Sequence, residues 1–326
     1  MLPSRSGNAS AAGYPTAVRS FALSDKPDLQ TLLEVQDHFA LPSTALVEKD
    51  WFVVRALAAI HDVEVDGLTL AFGGGTALGR AYRLLERMSE DIDLRIVGEN
   101  AGERGSLKRM RRAVSKRLED AGFTVEGHVR VLQNGSYVRY DLPYDPIAKG
   151  EGVLRPEIKI EIAAFPICTA PELCSVTSFV GEATGRPAEA NDVKCVRLVE
   201  TAADKFVALG RRAGFAFAGH EPLDHTLVRH VYDISRMDGK YDLDTAAAIA
   251  LDTMVAEAKG DRADKYPDYK SDPRAETLKT FEIMATHAEF AAHYEKLMGD
   301  MVYGARPSFA EAFTVVERFA QKVREA

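Results

Sequence analysis

The chain has 326 residues, of which 46% are hydrophobic and 28% charged, and a formal net charge of −8. These values fit an ordinary globular protein of one large or two ordinary domains, and no stretch has the unbroken apolar length of a membrane span. The acidic balance excludes a globally basic nucleic-acid binder, so any such contact has to come from a local patch.

Residues 1–20 are rich in Ser, Ala and Gly and lack the apolar segment of a secretory signal, so they read as a disordered tail. Cys168, Cys174 and Cys195 form no metal-ligand pattern, as expected of small buried side chains in a reducing cytoplasm. A polar helix is predicted over about 24–40. In the next segment Val47, Trp51, Val54 and Leu57 share one helical face and predict a core-packing helix.

The richest stretch follows. A β-like run over 68–72 enters Gly73-Gly74-Gly75-Thr76, a helical pattern continues to Leu85, and a second β-like run over 92–97 leaves it. Glycines let a turn bring its N–H groups close to an anion, because no Cβ intervenes. The Thr76 hydroxyl is a candidate donor to a phosphate oxygen, beside a helix N-terminus that favours negative charge. Asp91 and Asp93 lie two apart, which on a strand puts both carboxylates on one face. Two hard oxygen ligands near a phosphate-binding turn suit Mg²⁺.

Residues 106–120 predict an amphipathic helix whose outer face carries Lys108, Arg109, Arg111, Arg112, Lys116 and Arg117. This basic run reads either as a solvated face or as an RNA-phosphate contact beside the site. Alternating runs over 123–132 and 136–140 flank Asn134-Gly135, a hairpin signal. After a loop over 143–152, residues 157–162 alternate strictly. Ile158, Ile160 and Ile162 face the core, and Glu157, Lys159 and Glu161 share the other face.

Strand signals nearly vanish from Asp192, which places a boundary near residue 188. A helix is predicted from Val193 to Leu209, with Val196, Val199, Ala203 and Phe206 on its apolar face and Lys205 on a second stripe. Residues 210–219 read as a loop. Another helix opens at Asp224, a candidate N-cap, and carries Arg229 and Asp233 at i,i+4. Further helices are predicted over 246–258, 276–292 and 309–323, with breaks at 266–269 and 304–307. There is no internal repeat or heptad run.

The string Gly-Gly-Thr-x10-Arg-x-Ser-x-Asp-x-Asp, ending at Asp93, resembles the first motif of the AbiEii-type nucleotidyltransferase toxins and, more distantly, of the DNA polymerase β superfamily. Glu48-Lys49-Asp50-Trp51, ahead of it, is similar to a string that recurs in the family, and Lys159-x-Glu161, Glu200-x4-Lys205 and Arg229-His230-x-x-Asp233-Ile234 are similar to its later motifs, in order over roughly 44–235. The resemblance implies an α+β fold: a nucleotidyltransferase-like mixed sheet with flanking helices over 21–187, then a mostly helical domain over 188–326 that completes the nucleotide site. It implies transfer of NMP from an NTP to an acceptor hydroxyl, with Asp91, Asp93 and Glu161 holding Mg²⁺ or Mn²⁺. Gly74, Gly75, Thr76, Arg87, Ser89 and Lys159 are then expected at the nucleotide, and Lys205 and Asp233 among the catalytic residues. It also implies a tRNA 3′ end as acceptor, a cognate antitoxin, a role in phage defence and a cytoplasmic setting. One departure is Gly73, where many relatives have Lys. Three alternatives stay open: a small-molecule or protein acceptor, a phosphotransferase, and a catalytically silent binding module. Retention of three mutually repelling carboxylates argues against the last.

Overall fold

Strict alternation of apolar and polar side chains builds the sheet on which the molecule is organised. A computed structural model describes residues 25–148 and 154–326. The tail expected over 1–20 lies outside the described residues, as does part of the loop expected over 143–152. In chain order the first half holds α1 (Leu29–Phe39), α2 (Thr44–Ile60), β1 (Thr69–Gly73), α3 (Gly74–Arg80), β2 (Asp91–Val97), α4 (Arg104–Asp120), β3 (Val129–Leu132), β4 (Tyr137–Pro143) and β5 (Glu157–Ala163). There follow β6 (Glu172–Val176), α5 (Phe179–Ala183), β7 (Ala190–Cys195), α6 (Leu198–Phe217), α7 (Val228–Arg236), α8 (Leu243–Ala258), α9 (Pro267–Ser271), α10 (Pro273–Ala285), α11 (Ala288–Asp300) and α12 (Phe309–Glu325). The seven strands form one mixed sheet in the order β3-β4-β5-β2-β1-β7-β6.

Register aligns the two faces. Parallel pairing of β2 with β5 sets Ile92 beside Ile160 and Asp93 beside Glu161, so the isoleucines share one face and the acids the other. The isoleucine face is buried beneath α2 and α4, which share its apolar core. Tyr140, paired with Ile160 on β4, is fully buried there and meets Ser115 of α4, oxygen to oxygen at 3.2 Å. The basic helix α4 therefore lies behind the sheet, opposite the acids. Three of its cations are paired: Arg109 with Asp66, Lys116 with Asp120 and Arg117 with Asp62. The helix is thus not beside the acids, where its charge had suggested a place for it.

The helix predicted from Val193 begins instead at Leu198, and Val193 lies in β7, parallel to β1 through Phe72 and Cys195. The run Val193-Lys-Cys-Val-Arg-Leu-Val199 satisfies a period of 2 as readily as one of 3.6. The sheet core takes its last fully buried member from Cys195, while the helical core draws on Ala202 and later residues together with Leu78 and Leu85. The loop predicted over 210–219 is mostly helix, since α6 runs on to Phe217. The helix predicted over 276–292 is two helices, α10 and α11, with His287 capping the second by accepting from Phe290 N–H. Of the strand predicted over 123–132 only β3 forms. It joins β4 through a turn in which Gln133, Asn134 and Gly135 all have positive φ.

The helical core is centred on Phe206 of α6, stacked on Phe319 with ring centroids 4.1 Å apart. Gly210 and Gly214 sit inside α6 because α10 and Tyr266 press against it. A Cβ on Gly210 would stand 2.6 Å from Thr277 Cγ2. Gly210→Ala is therefore expected to destabilise, measured by urea unfolding. Overpacking costs about 1–3 kcal/mol, which outweighs the roughly 1 kcal/mol gained in helix propensity.

Candidate active site

Strand β1 ends at Gly73, directly opposite Asp93 in the antiparallel pair. Gly74 has φ +72°, and a Cβ there would overlap the Asp93 carboxylate. A Cβ on Gly75 would lie 2.7 Å from both Arg87 Nη2 and Ser89 Oγ. The two glycines are thus the places where backbone is pressed against the acids and against Arg87. Gly74→Ala is expected to cut turnover by roughly a hundredfold or more, the scale of a 1 Å misplacement of reacting groups. Turnover beside circular dichroism checks this.

Thr76 is buried, and its hydroxyl donates to the Asp91 carbonyl at 2.5 Å and meets Ser89 Oγ at 2.9 Å. It fastens the turn to β2. The helical pattern expected to Leu85 stops at Arg80, and Arg83 has φ +55°. The segment that follows carries Arg87 inward.

Arg87 grips Asp233 with two bonds, Nε to Oδ1 at 2.6 Å and Nη2 to Oδ2 at 2.7 Å, and Lys205 Nζ donates to the same Oδ2 at 2.7 Å. Asp233 is fully buried. Burial alone would raise its pKa, but the charges of Arg87 and Lys205 outweigh that and hold it far below the carboxylate range. Burial lowers Lys205, and Asp233 offsets this only in part. Three segments distant in sequence meet here, with two cations on one acid.

On the sheet, Lys159 Nζ stands between Glu161 Oε1 at 2.7 Å and Asp91 Oδ2 at 3.2 Å. Burial would lower Lys159, but its bond to Glu161 and the charge of Asp91 raise it. Burial, then Asp91 and Glu161, push Asp93 up to about 6. With an ammonium among them, the three carboxylates do not bring one oxygen each within 4.8 Å of the other two. The donors themselves are hard oxygens on one face, the set that suits Mg²⁺ or Mn²⁺, and the ammonium occupies the cationic position.

An open cleft of about 340 Å³ collects Gly74, Gly75, Arg87, Ser89, Asp91, Asp93, Lys159, Glu161 and Lys205 on its walls. Thr76 and Asp233 stand behind those walls. The cleft also holds Phe165 and Tyr137, which sequence reasoning did not single out, and His230, quoted only within a motif string. Phe165 projects into it and is 57% exposed, with Tyr137 and His230 nearby on the lining. Both ring nitrogens of His230 are buried without a hydrogen-bond partner. Burial and then the charges of Lys205 and Arg229 keep that imidazole neutral. Alternation on β4 carried the signal for Tyr137. For Phe165, past the end of β5, only an apolar residue in a polar loop marked it.

Glu200 and the Glu48–Asp50 triplet are structural. Glu200 accepts from the N–H groups of Cys168 and Thr169, tying down the loop after Phe165. Glu48 accepts from Ile147 and Ala148, Asp50 accepts from Phe179, and Lys49 donates to the Arg155 carbonyl at 3.0 Å, so this buried triplet on α2 fastens two connections, β4 to β5 and β6 to α5.

A family model described as nucleotidyl transferase AbiEii toxin, type IV toxin–antitoxin system, matches residues 55–321. The chain belongs to the AbiEii nucleotidyltransferase toxin family. Among solved structures, MenT4, a nucleotidyltransferase toxin from Mycobacterium tuberculosis H37Rv, superposes with a TM-score of 0.54. The two are 14% identical, the match covers 90% of each chain, and it shows a shared fold. No curated protein matches. This AbiEii chain is a nucleotidyltransferase of the toxin–antitoxin class, with the mixed sheet and flanking helices of that fold.

Proposed function

We propose that this AbiEii toxin transfers NMP from an NTP to the 3′ hydroxyl of an RNA, a tRNA end, using Mg²⁺ or Mn²⁺ held by Asp91, Asp93 and Glu161. The supporting observation is a row across the sheet. Register sets Gly73, Asp93, Glu161, Arg139 and Arg130 side by side on the cleft face of β1, β2, β5, β4 and β3. The row has polarity. Its glycine end suits a triphosphate and its arginine end an incoming polyanion, with the acids between.

A divalent cation bound to the acids would neutralise triphosphate charge and favour the ionised acceptor hydroxyl. The protein's own contribution is positioning and fixed charge, which phosphoryl chemistry needs more than covalent help. Gly74 and Gly75 present backbone to the triphosphate. Lys159 and Lys205, both on the cleft lining, would supply positive charge to the phosphates. Arg87 and Asp233 hold Lys205 in place. Phe165 and Tyr137 offer ring faces on which an unpaired base stacks. A cognate antitoxin and a cytoplasmic role in phage defence accompany this reading. No described helix is long and apolar enough to cross a membrane.

The test is to incubate the protein with each radiolabelled NTP, Mg²⁺ and total RNA. Label from an α-phosphate should appear on RNA, at 3′ ends. Label on protein or on a small molecule would replace the acceptor, label from a γ-phosphate would indicate phosphotransfer, and no label would favour a silent module. Arg130→Ala with Arg139→Ala should raise the KM for RNA and flatten its salt dependence, leaving NTP affinity unchanged. Arg112→Glu on α4, behind the sheet, should change neither.

A further inference from the structure

We propose that His225, His293 and Glu289 form a surface site for one borderline transition-metal cation, Zn²⁺ above all, separate from the catalytic cleft. His225 lies on the short 3₁₀ turn His225–Leu227 that leads into α7, and Glu289 and His293 lie one helical turn apart on α11. One ligand atom from each falls within 4.8 Å of the other two, the only such trio among the described residues. His293 Nε2 is at the centre, 2.5 Å from His225 Nδ1 and 3.4 Å from Glu289 Oε1.

These distances are informative. Ligands about 2.0–2.1 Å from a tetrahedral zinc stand roughly 3.3 Å apart. The Glu289–His293 edge already has that length. The His225–His293 edge is shorter than an ordinary N–H···N bond, and two protonated rings would repel there. A cation between the two lone pairs relieves this by opening the edge by less than about 1 Å, a small adjustment for half-exposed rings. Two imidazoles and one carboxylate, with a position left for water, select zinc, nickel or copper over Mg²⁺. Occupancy would staple the turn ahead of α7 to α11. The proposal does not depend on nucleotidyl transfer.

The test is titration of Zn²⁺ into the protein in excess Mg²⁺, added to compete at the acidic cleft, for the wild type, His225→Ala, His293→Ala and Asp93→Asn. One zinc should bind wild type and Asp93→Asn alike and raise the melting temperature of both. Either histidine variant should weaken binding by more than about a hundredfold, beyond the cost of losing a merely supporting partner. Zinc binding that survives both histidine changes, or is lost only in Asp93→Asn, overturns the proposal. So does the absence of zinc binding to wild type.

Discussion

Asp233→Ala is expected to be the most damaging single substitution in the chain. It strands two buried cations, Arg87 and Lys205, whose shared partner is removed. Breaking a buried ion pair from one side costs about 3–5 kcal/mol, a large part of a typical domain's stability of about 5–15 kcal/mol. The variant should unfold at much lower urea and lose activity. Asp233→Ala combined with Lys205→Met should recover part of the stability, because one stranded charge is gone, without recovering turnover. The acid response has a definite sign. The folded pKa of Asp233 is depressed, so its stabilisation is fully present above the ordinary carboxylate value. It is lost progressively as pH falls from that ordinary value through the much lower folded one. An equal unfolding midpoint for wild type and Asp233→Ala would remove the triad from the stability argument.

Asp93→Asn should behave in the opposite way. Activity should fall by at least about a thousandfold, since removal of even one preorganised charge-stabilising group costs roughly 10²–10³ in kcat and this one is also a proposed metal ligand. Stability without metal should rise. The folded pKa of Asp93 is raised to about 6, so the folded chain holds its proton more tightly than the unfolded chain. Wild type should therefore gain stability as pH falls from 7 through 6 towards about 4. Urea unfolding in EDTA at pH 7 and pH 5 reads this directly. The gain at pH 5 should be present in wild type and smaller in Asp93→Asn. A variant with near-normal turnover would take Asp93 out of the chemistry.

The sequence was most informative where local pattern carried the physics. Charged residues alternate with isoleucines over Asp91–Val97 and Glu157–Ala163, and that alternation put Asp91, Asp93, Lys159 and Glu161 on one face. It was least informative where a distant neighbour decides. Val193 to Val199 fits either period, and pairing with β1 makes its first part a strand. Gly210 and Gly214 read as loop residues because their packing against α10 is not local. Arg87 and Asp233 lie 146 positions apart, so their bidentate bond has no local signature. The basic surface of α4 was plain from spacing. The side of the sheet it occupies was not, because that depends on how α2 and α4 cover the isoleucine face.

The bond between Arg87 and Asp233 joins a turn beside the sheet to a helix of the other core. Chains emerge from the ribosome N-terminus first, and their early parts fold as they appear. A nascent chain that has completed its acids and glycine turn still lacks Lys205's anchor and Arg87's partner until α7 is made. Fragments that end before residue 228 are therefore expected to lack this ion cluster, even where the sheet and its glycine turn have formed.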